Sequence, residues 1–252
     1  MRAAQEKGDE IMDCGYKTDI GLVRSVNEDR YLFVDTKEYK LLVVADGMGG
    51  HEAGDVASQM AIDEIVRYNL AVGFAEDTVE KLKECISGVN EKIFIYSSKN
   101  HKVKGMGTTL VIAVVVDDKV YFANVGDSRG YIVGDGIKKI TIDHSYVEEL
   151  LLSGEITAEE AYYHPNKNQI TRAIGTQPTV KADVFVCEIE KNDIVFLCSD
   201  GCSNMLHDEE ILYILKQHAS LQEAADTLVI SANDNGGYDN ITVVCYSEGK
   251  GA

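Results

Sequence analysis

Lys40-Leu-Leu-Val-Val-Ala-Asp46-Gly47-Met-Gly-Gly-His51-Glu-Ala-Gly54-Asp55 decides how this chain reads. Leu41 to Ala45 is a short continuous apolar run, the pattern of a strand buried on both faces. It delivers one carboxylate, Asp46, into a glycine-dense turn, and a helical pattern begins near Ala53. Glycine lets backbone approach a ligand closely. An Asp-Gly at a strand end therefore sets a carboxylate beside an unshielded carbonyl, two oxygens suited to a hard divalent cation. A single Asp-Gly is ordinarily no more than a turn. The reading of Asp46 depends on what the rest of the chain brings to it.

Outward from this stretch, Tyr31–Val34 and Leu41–Ala45 flank the polar Asp35–Glu38 and predict a β-hairpin. Hairpin pairing is antiparallel, which speaks against a doubly wound parallel sheet. Helical spacing of apolar residues predicts helices over Ala53–Leu70 and about Asp77–Ser97. Strands are expected at Thr109–Val116 and Val120–Val125, and a further hairpin at Gly130–Val133 and Ile137–Ile142 turns on Gly134-Asp-Gly136. Segment 143–178 differs, with two short helical patterns at Val147–Leu152 and Thr157–Tyr162 and both prolines. Strands resume at Val180–Glu188 and Ile194–Cys198. Helices follow at about Asp208–Gln217 and Leu221–Ala232, and a last strand at Ile241–Tyr246. Blocks of strands alternating with paired helices predict an α+β layered architecture. Residues 1–12 read as a polar lead-in and 13–248 as one domain.

The chain has 252 residues, 24 Lys+Arg against 42 Asp+Glu and a net charge of -18. Such a balance argues against nucleic acid or an anionic membrane as the main partner, since both need basic surface. Six cysteines are scattered with no CxxC pair and no zinc-type spacing, as expected of buried thiols in a reducing cytosol. No run approaches the ~20 apolar residues of a membrane span, and the N-terminus has no signal-type apolar core. A cytoplasmic protein is expected.

Asp46 has counterparts. Asp127 follows Tyr121–Gly126, Asp200 follows Ile194–Ser199, Asp239 precedes Ile241–Tyr246, and Asp29 precedes Tyr31–Val34. Each is an aspartate at a strand mouth, and antiparallel strands of one sheet bring alternate ends together. Carboxylates so gathered repel one another, and divalent cations remove the conflict. An oxygen-only donor set suits Mg2+ or Mn2+. Two such ions can activate a water and polarise a phosphoryl oxygen. Arg24, close before Asp29, supplies a guanidinium fork for phosphate.

At this point the chain resembles the PP2C (PPM) family of metal-dependent Ser/Thr protein phosphatases, in its bacterial single-domain type. The resemblance is carried by Thr18-Asp-Ile-Gly-Leu-Val-Arg24-Ser-Val-Asn-Glu28-Asp29, Val44-Ala-Asp46-Gly47-Met-Gly-Gly-His51, Gly105-Met-Gly-Thr108-Thr109 and Asn124-Val-Gly-Asp127-Ser-Arg129. Asp143-His144-Ser145, His164-Pro165, Asn168–Gly175, Ser199-Asp200-Gly201 and Asp239-Asn240-Ile-Thr242 follow in family order. It implies a central antiparallel β-sandwich flanked by helical layers (α/β/β/α), with a dinuclear site at one edge. Asp46 would bridge two Mn2+ or Mg2+ ions, the Gly47 carbonyl would ligate the second, and Asp200 and Asp239 the first. Glu28 and Asp29 would hold waters around the ions, and Arg24 would bind the substrate phosphate. Asp127 with Asp200 would form a weaker third metal site, and 143–178 a flap. The implied reaction is direct attack of metal-activated water on phosphoserine or phosphothreonine.

The implied partners are phosphorylated proteins, a Ser/Thr kinase and its substrates, with the enzyme a monomer. Many eukaryotic relatives carry a histidine after the Asp-Gly as a proposed general acid, where this chain has Met48. His51 is one candidate for that acid and a water at the third site another. The alternatives are a phosphatase dedicated to one anti-sigma-antagonist protein, a pseudophosphatase that binds phosphoproteins without turnover, and a two-metal nuclease or phosphodiesterase. The carboxylates a pseudophosphatase would lack are present, and the charge disfavours a nuclease.

Overall fold

The computed structural model describes residues 13–49 and 53–249. The lead-in 1–12 and His51 lie outside the described residues. Eleven strands are described: β1 Asp13–Asp19, β2 Asp29–Asp35, β3 Lys40–Met48, β4 Gly107–Thr108, β5 Leu110–Val116, β6 Lys119–Val125, β7 Arg129–Val133, β8 Ile137–Lys139, β9 Asp183–Glu188, β10 Ile194–Cys198 and β11 Ile241–Ser247. The helices are α1 Ala53–Ala71, α2 Thr78–Lys99, α3 Tyr146–Leu152, α4 Ala158–Tyr162, α5 Asp200–Ser203, α6 Asp208–Gln217 and α7 Leu221–Asp234.

The strands form two antiparallel sheets, ordered β1-β11-β10-β7-β8 and β2-β3-β5-β6-β9, with β4 paired to β3. Strand alternation builds three cores. In β3, Leu41, Val43 and Ala45 face a core shared with α1 and α2 residues such as Ile65, Leu82 and Ile86. Leu42 and Val44 face the other sheet, against Val195, Leu197 and Val244. In β10 and β11, Phe196, Val243 and Cys245 face the α6–α7 side with Ile211, Leu215 and Leu228. Burial on both faces is why these strands read as unbroken apolar runs although every pairing is antiparallel. The result is the expected α+β sandwich between helical layers.

The hairpins and long helices lie close to their expected bounds. Three local features differ. β1 carries polar residues at alternate positions (Asp13, Lys17, Asp19) and gives a weak apolar signal, yet it pairs along its whole length with β11. Asp46 and Gly47 are not in a turn: β3 continues through Met48 because Gly47 pairs with Thr108 and Met48 with Gly107. Asp200 starts the short helix α5 rather than ending a strand. Four residues are too few for any helical periodicity to register.

Candidate active site

One cleft of 320 Å³ opens at the edge where β2 and β11 begin and β3, β6 and β10 end. Arg24, Glu28, Asp46, Gly47, Asp127, Asp200 and Asp239 line it, together with Met48, Thr109, Asn168, Ile170 and Asn240. Segments far apart in the chain thus converge on one place, and the strand-mouth reasoning holds for them. Asp29 is 1% exposed and lies behind the cleft wall, directly opposite Asp46 in the β2–β3 pair.

The backbone at Asp46 is clamped. Its amide donates to Thr109 Oγ1 at 3.1 Å, and its carbonyl accepts from the Thr109 amide at 2.8 Å and Thr108 Oγ1 at 2.9 Å. Thr109 Oγ1 in turn meets Ser128 Oγ at 2.7 Å. Gly47 is required by close approach: a Cβ there would sit 2.2 Å from the Gly54 carbonyl and 2.7 Å from that of Glu28. The Gly47 amide donates to the Glu28 carbonyl at 3.2 Å, and the Gly54 amide donates to the Glu28 carboxylate at 3.2 Å. Glu28 is thereby fixed between β3 and the start of α1.

A second set of contacts fixes the opposite wall. The Asp239 carboxylate accepts from Arg24 Nη2 at 2.7 Å and from the Asn240 amide at 2.8 Å. The buried Asn240 side chain accepts from the Glu28 amide at 2.8 Å and donates to the carbonyls of Ile20 and Val26 at 2.9 and 3.0 Å. Asp29 accepts from Ser199 Oγ at 2.7 Å, and Ser199 Oγ accepts from the Thr242 amide at 2.9 Å. Thr109, Ser199 and Asn240 lay inside recognised motifs. Their work is to bind backbone many residues away, and no local pattern signals that.

The electrostatics follow from this crowding. Burial pushes the Asp29 carboxyl up to about 7, with Asp200 and Asp239 adding to the rise against the Ser199 bond. Burial, then the charges of Asp29, Asp200 and Asp127, hold Asp46 well above the usual carboxylate range. Asp127 is raised by burial and by Asp200, and Asp200 reaches about 6 through burial and Asp239. Asp46 and Asp200 keep part of their surface open to the cleft, so water tempers the rise for those two. Arg24 feels the reverse field. Burial opposes its charge, but the bond to Asp239 and the neighbouring carboxylates outweigh that and raise it.

Among the described residues, no three His, Cys, Asp or Glu side chains stand in a ready-made metal shell. Two of the carboxylates are engaged elsewhere: Asp200 accepts from Asn204 Nδ2 at 3.1 Å, and Asp239 is turned onto Arg24. The site nonetheless fits oxygen-ligated divalent cations. Its donors are carboxylates and backbone carbonyls, and its acids are raised first by burial and then by one another's charge, a load that divalent cations would offset. Asp29 Oδ1 is buried and has no hydrogen bond of ordinary geometry among the described residues. Thr242 lies near it, but its hydroxyl is engaged with Thr18 at 2.7 Å.

Segment 143–178 lies over one side of the cleft and contributes Asn168 and Ile170 to its lining. Its ends are pinned by bridges between Ser145 and Ile170 and between Thr108 and Ile174. At its base His144 Nδ1 accepts from the Gly126 amide at 3.0 Å, and its Nε2 lies 2.9 Å from Arg172 Nη1 and 3.2 Å from Asp183. Arg172 also donates to Asp183, at 3.2 Å.

An antiparallel sandwich with clustered carboxylates and one phosphate-type arginine at its edge defines a metal-dependent phosphoester hydrolase. The family model described as protein phosphatase 2C matches residues 23–227. A serine/threonine phosphatase, stp, of Listeria innocua is 43% identical over 238 residues, covering 92% of this chain and 94% of that protein. The solved serine/threonine phosphatase Stp1 of Staphylococcus aureus superposes with a TM-score of 0.89 at 36% identity, covering 98% of this chain and 99% of the other. A PstP catalytic domain solved in complex with two manganese ions superposes at 0.83 with 34% identity, covering 94% and 97%. The chain belongs to the protein phosphatase 2C family.

Proposed function

We propose that this chain is a Mn2+- or Mg2+-dependent protein-serine/threonine phosphatase acting on phosphoproteins. The observation that carries the reading is the convergence of Asp46, Asp200, Asp239 and Arg24 on one cleft. Asp46, the Gly47 carbonyl, Asp200 and Asp239 are the groups that would hold two ions, with Asp127 and Asp200 available for a third. Divalent ions so held supply an acidified water at neutral pH and a positive field on the phosphoryl oxygens.

The chain's own residues do the rest. Arg24, exposed over half its side chain, presents its guanidinium to a phosphate while its second arm stays on Asp239. Glu28, lifted by burial and held by the Gly54 amide, orients water at the near wall. Asp29 lies behind Asp46 and holds the floor of the site in place. The leaving alkoxide needs a proton, and His51 is one candidate donor. A His51→Ala variant that keeps the acid limb of the pH–rate profile would remove it from the mechanism.

Residues 13–248 act as one catalytic unit, with 143–178 as a flap beside the cleft. Thiols buried among apolar side chains, such as Cys85, Cys198 and Cys202, support a cytoplasmic enzyme. There it opposes a Ser/Thr kinase on that kinase's substrates, as a monomer. The test is hydrolysis of a phosphothreonine peptide with Mn2+, with Mg2+ and in excess EDTA. Phosphate release that needs the ion is expected, and full activity in EDTA would sink the reading.

A further inference from the structure

Loops 20–24 and 236–239 lie edge to edge along one rim of the cleft. The Leu22 amide donates to the Gly237 carbonyl at 2.7 Å, and Arg24 reaches Asp239 at the same distance. Their backbones are packed as closely as glycine allows: a Cβ on Gly21, where φ is +79°, would lie 2.2 Å from the Asp239 carbonyl. This zipper carries three large apolar side chains that stand outside the three cores. Leu22 is 70% exposed, and Val23 and Tyr238 are each 63% exposed. Single exposed apolar residues are ordinary. Three on one hydrogen-bonded rim, each within two residues of Arg24 or Asp239, make a patch that calls for an occupant.

The neighbouring cleft identifies the occupant. Val23 precedes Arg24 and Tyr238 precedes Asp239, and Arg24 and Asp239 line the cleft, so the two loops that carry these side chains end at the phosphate end of the site. Successive residues of a substrate are 3.8 Å apart along the chain. A substrate chain that leaves Arg24 on this side of the cleft has its next one or two residues over this rim. An acidic flank would also meet the field of a chain with net charge -18. We propose that Leu22, Val23 and Tyr238 form the docking surface for the substrate segment beside the phosphoresidue, and that they select apolar side chains there. This rests on the phosphatase reading and adds a specificity to it. Exposed apolar and aromatic anchors suit the task because covering them removes apolar surface from water.

The test compares the full-length chain with a Leu22→Ser, Tyr238→Ser double variant in Mn2+. Three substrates are used: p-nitrophenyl phosphate, a phosphothreonine peptide with leucine and valine beside the phosphoresidue, and the same peptide with serines there. Wild type is expected to prefer the apolar-flanked peptide. The variant should lose about tenfold in kcat/KM on it, chiefly through KM, as burial of one or two such side chains implies. It should stay within twofold on the serine-flanked peptide and on p-nitrophenyl phosphate. Equal losses on both peptides, or a loss on p-nitrophenyl phosphate, would overturn the proposal. So would a wild-type dimer in sedimentation velocity that the variant abolishes, because the patch would then be covered by a second copy. Wild type inert on all three substrates would instead overturn the phosphatase reading itself.

Discussion

Asp29 and Asp46 stand directly opposite each other across the β2–β3 hairpin, two carboxylates on one rung of a sheet. Like charges in that relation destabilise a strand pair, and here one partner is almost wholly buried. Protons relieve the strain where no cation does. Asp29 is raised from an ordinary 3.8 to about 7, so between those values the folded chain holds protons that the unfolded chain has released. The stability this contributes is full below about pH 4 and is lost as pH rises through 7. In EDTA the melting temperature should fall between pH 5 and pH 8. Asp29→Asn should flatten that fall and melt a few degrees higher at pH 8. Thermal melts across the range check it; a variant curve parallel to wild type would remove Asp29 as the source.

Asp46→Asn should separate stability from function more sharply. Asp46 is held well above the usual carboxylate range by burial and by Asp29, Asp200 and Asp127. Removing its charge should raise the melting temperature in EDTA. The same change deletes a central oxygen donor, so Mn2+ should no longer stabilise the protein by ligand linkage. kcat should fall by about 10³-fold or more. Melts with and without Mn2+, paired with phosphate release, read both effects. A variant that keeps its Mn2+-dependent shift would place the ion elsewhere.

Asn240 makes a third case. Its side chain takes the Glu28 amide and gives to the carbonyls of Ile20 and Val26, so one buried amide group braces the loop that carries Arg24. Asn240→Ala leaves three backbone groups without that partner, at about 1–3 kcal/mol for each that stays buried. Asn240→Asp keeps the acceptor for Glu28 and loses both donors. KM for a phosphopeptide should rise in both variants, and further in Ala than in Asp. Equal KM values in all three proteins would mean that Arg24 holds its place without Asn240.

The layered α+β class and the strand-end carboxylates were readable for one physical reason, whereas the sandwich itself came from the resemblance to the PP2C family. Residues buried on two faces, as in β3 and β10, must be apolar throughout, and the aspartates interrupt those runs where the sheet edge opens. The sequence was silent on β1, whose polar alternate residues turn to α7, where Asp13 accepts from the Leu221 amide and Lys17 pairs with Asp226, while its backbone carries the pairing to β11. It was also silent on the clamp around Asp46. Thr109 and Ser128 are ordinary hydroxyls until the fold sets them 2.7 Å apart behind a backbone amide. The Asp46–Gly47 step reads as a turn, whereas it continues a strand. The two-residue β4 that extends β3 across it leaves no periodic signal.

Gly47 offers the last prediction, because its role and that of Gly88 can be told apart by one methyl group. A Cβ at Gly47 would press on two carbonyl oxygens at 2.2 and 2.7 Å, both backbone and both part of the site wall. Gly47→Ala must therefore move the start of α1 or the Glu28 loop, costing about 1–3 kcal/mol. It should also reduce kcat/KM on p-nitrophenyl phosphate by tenfold or more, since the Gly47 carbonyl and Glu28 shift with it. A Cβ at Gly88, in the middle of α2, meets nothing within 4 Å. Gly88→Ala should then stabilise the chain by about 0.5–1 kcal/mol through helix propensity alone and leave turnover unchanged. Denaturant melts and kcat/KM for the two variants are read side by side. A Gly47→Ala protein with wild-type turnover would show that close backbone approach at this step is not what the site requires.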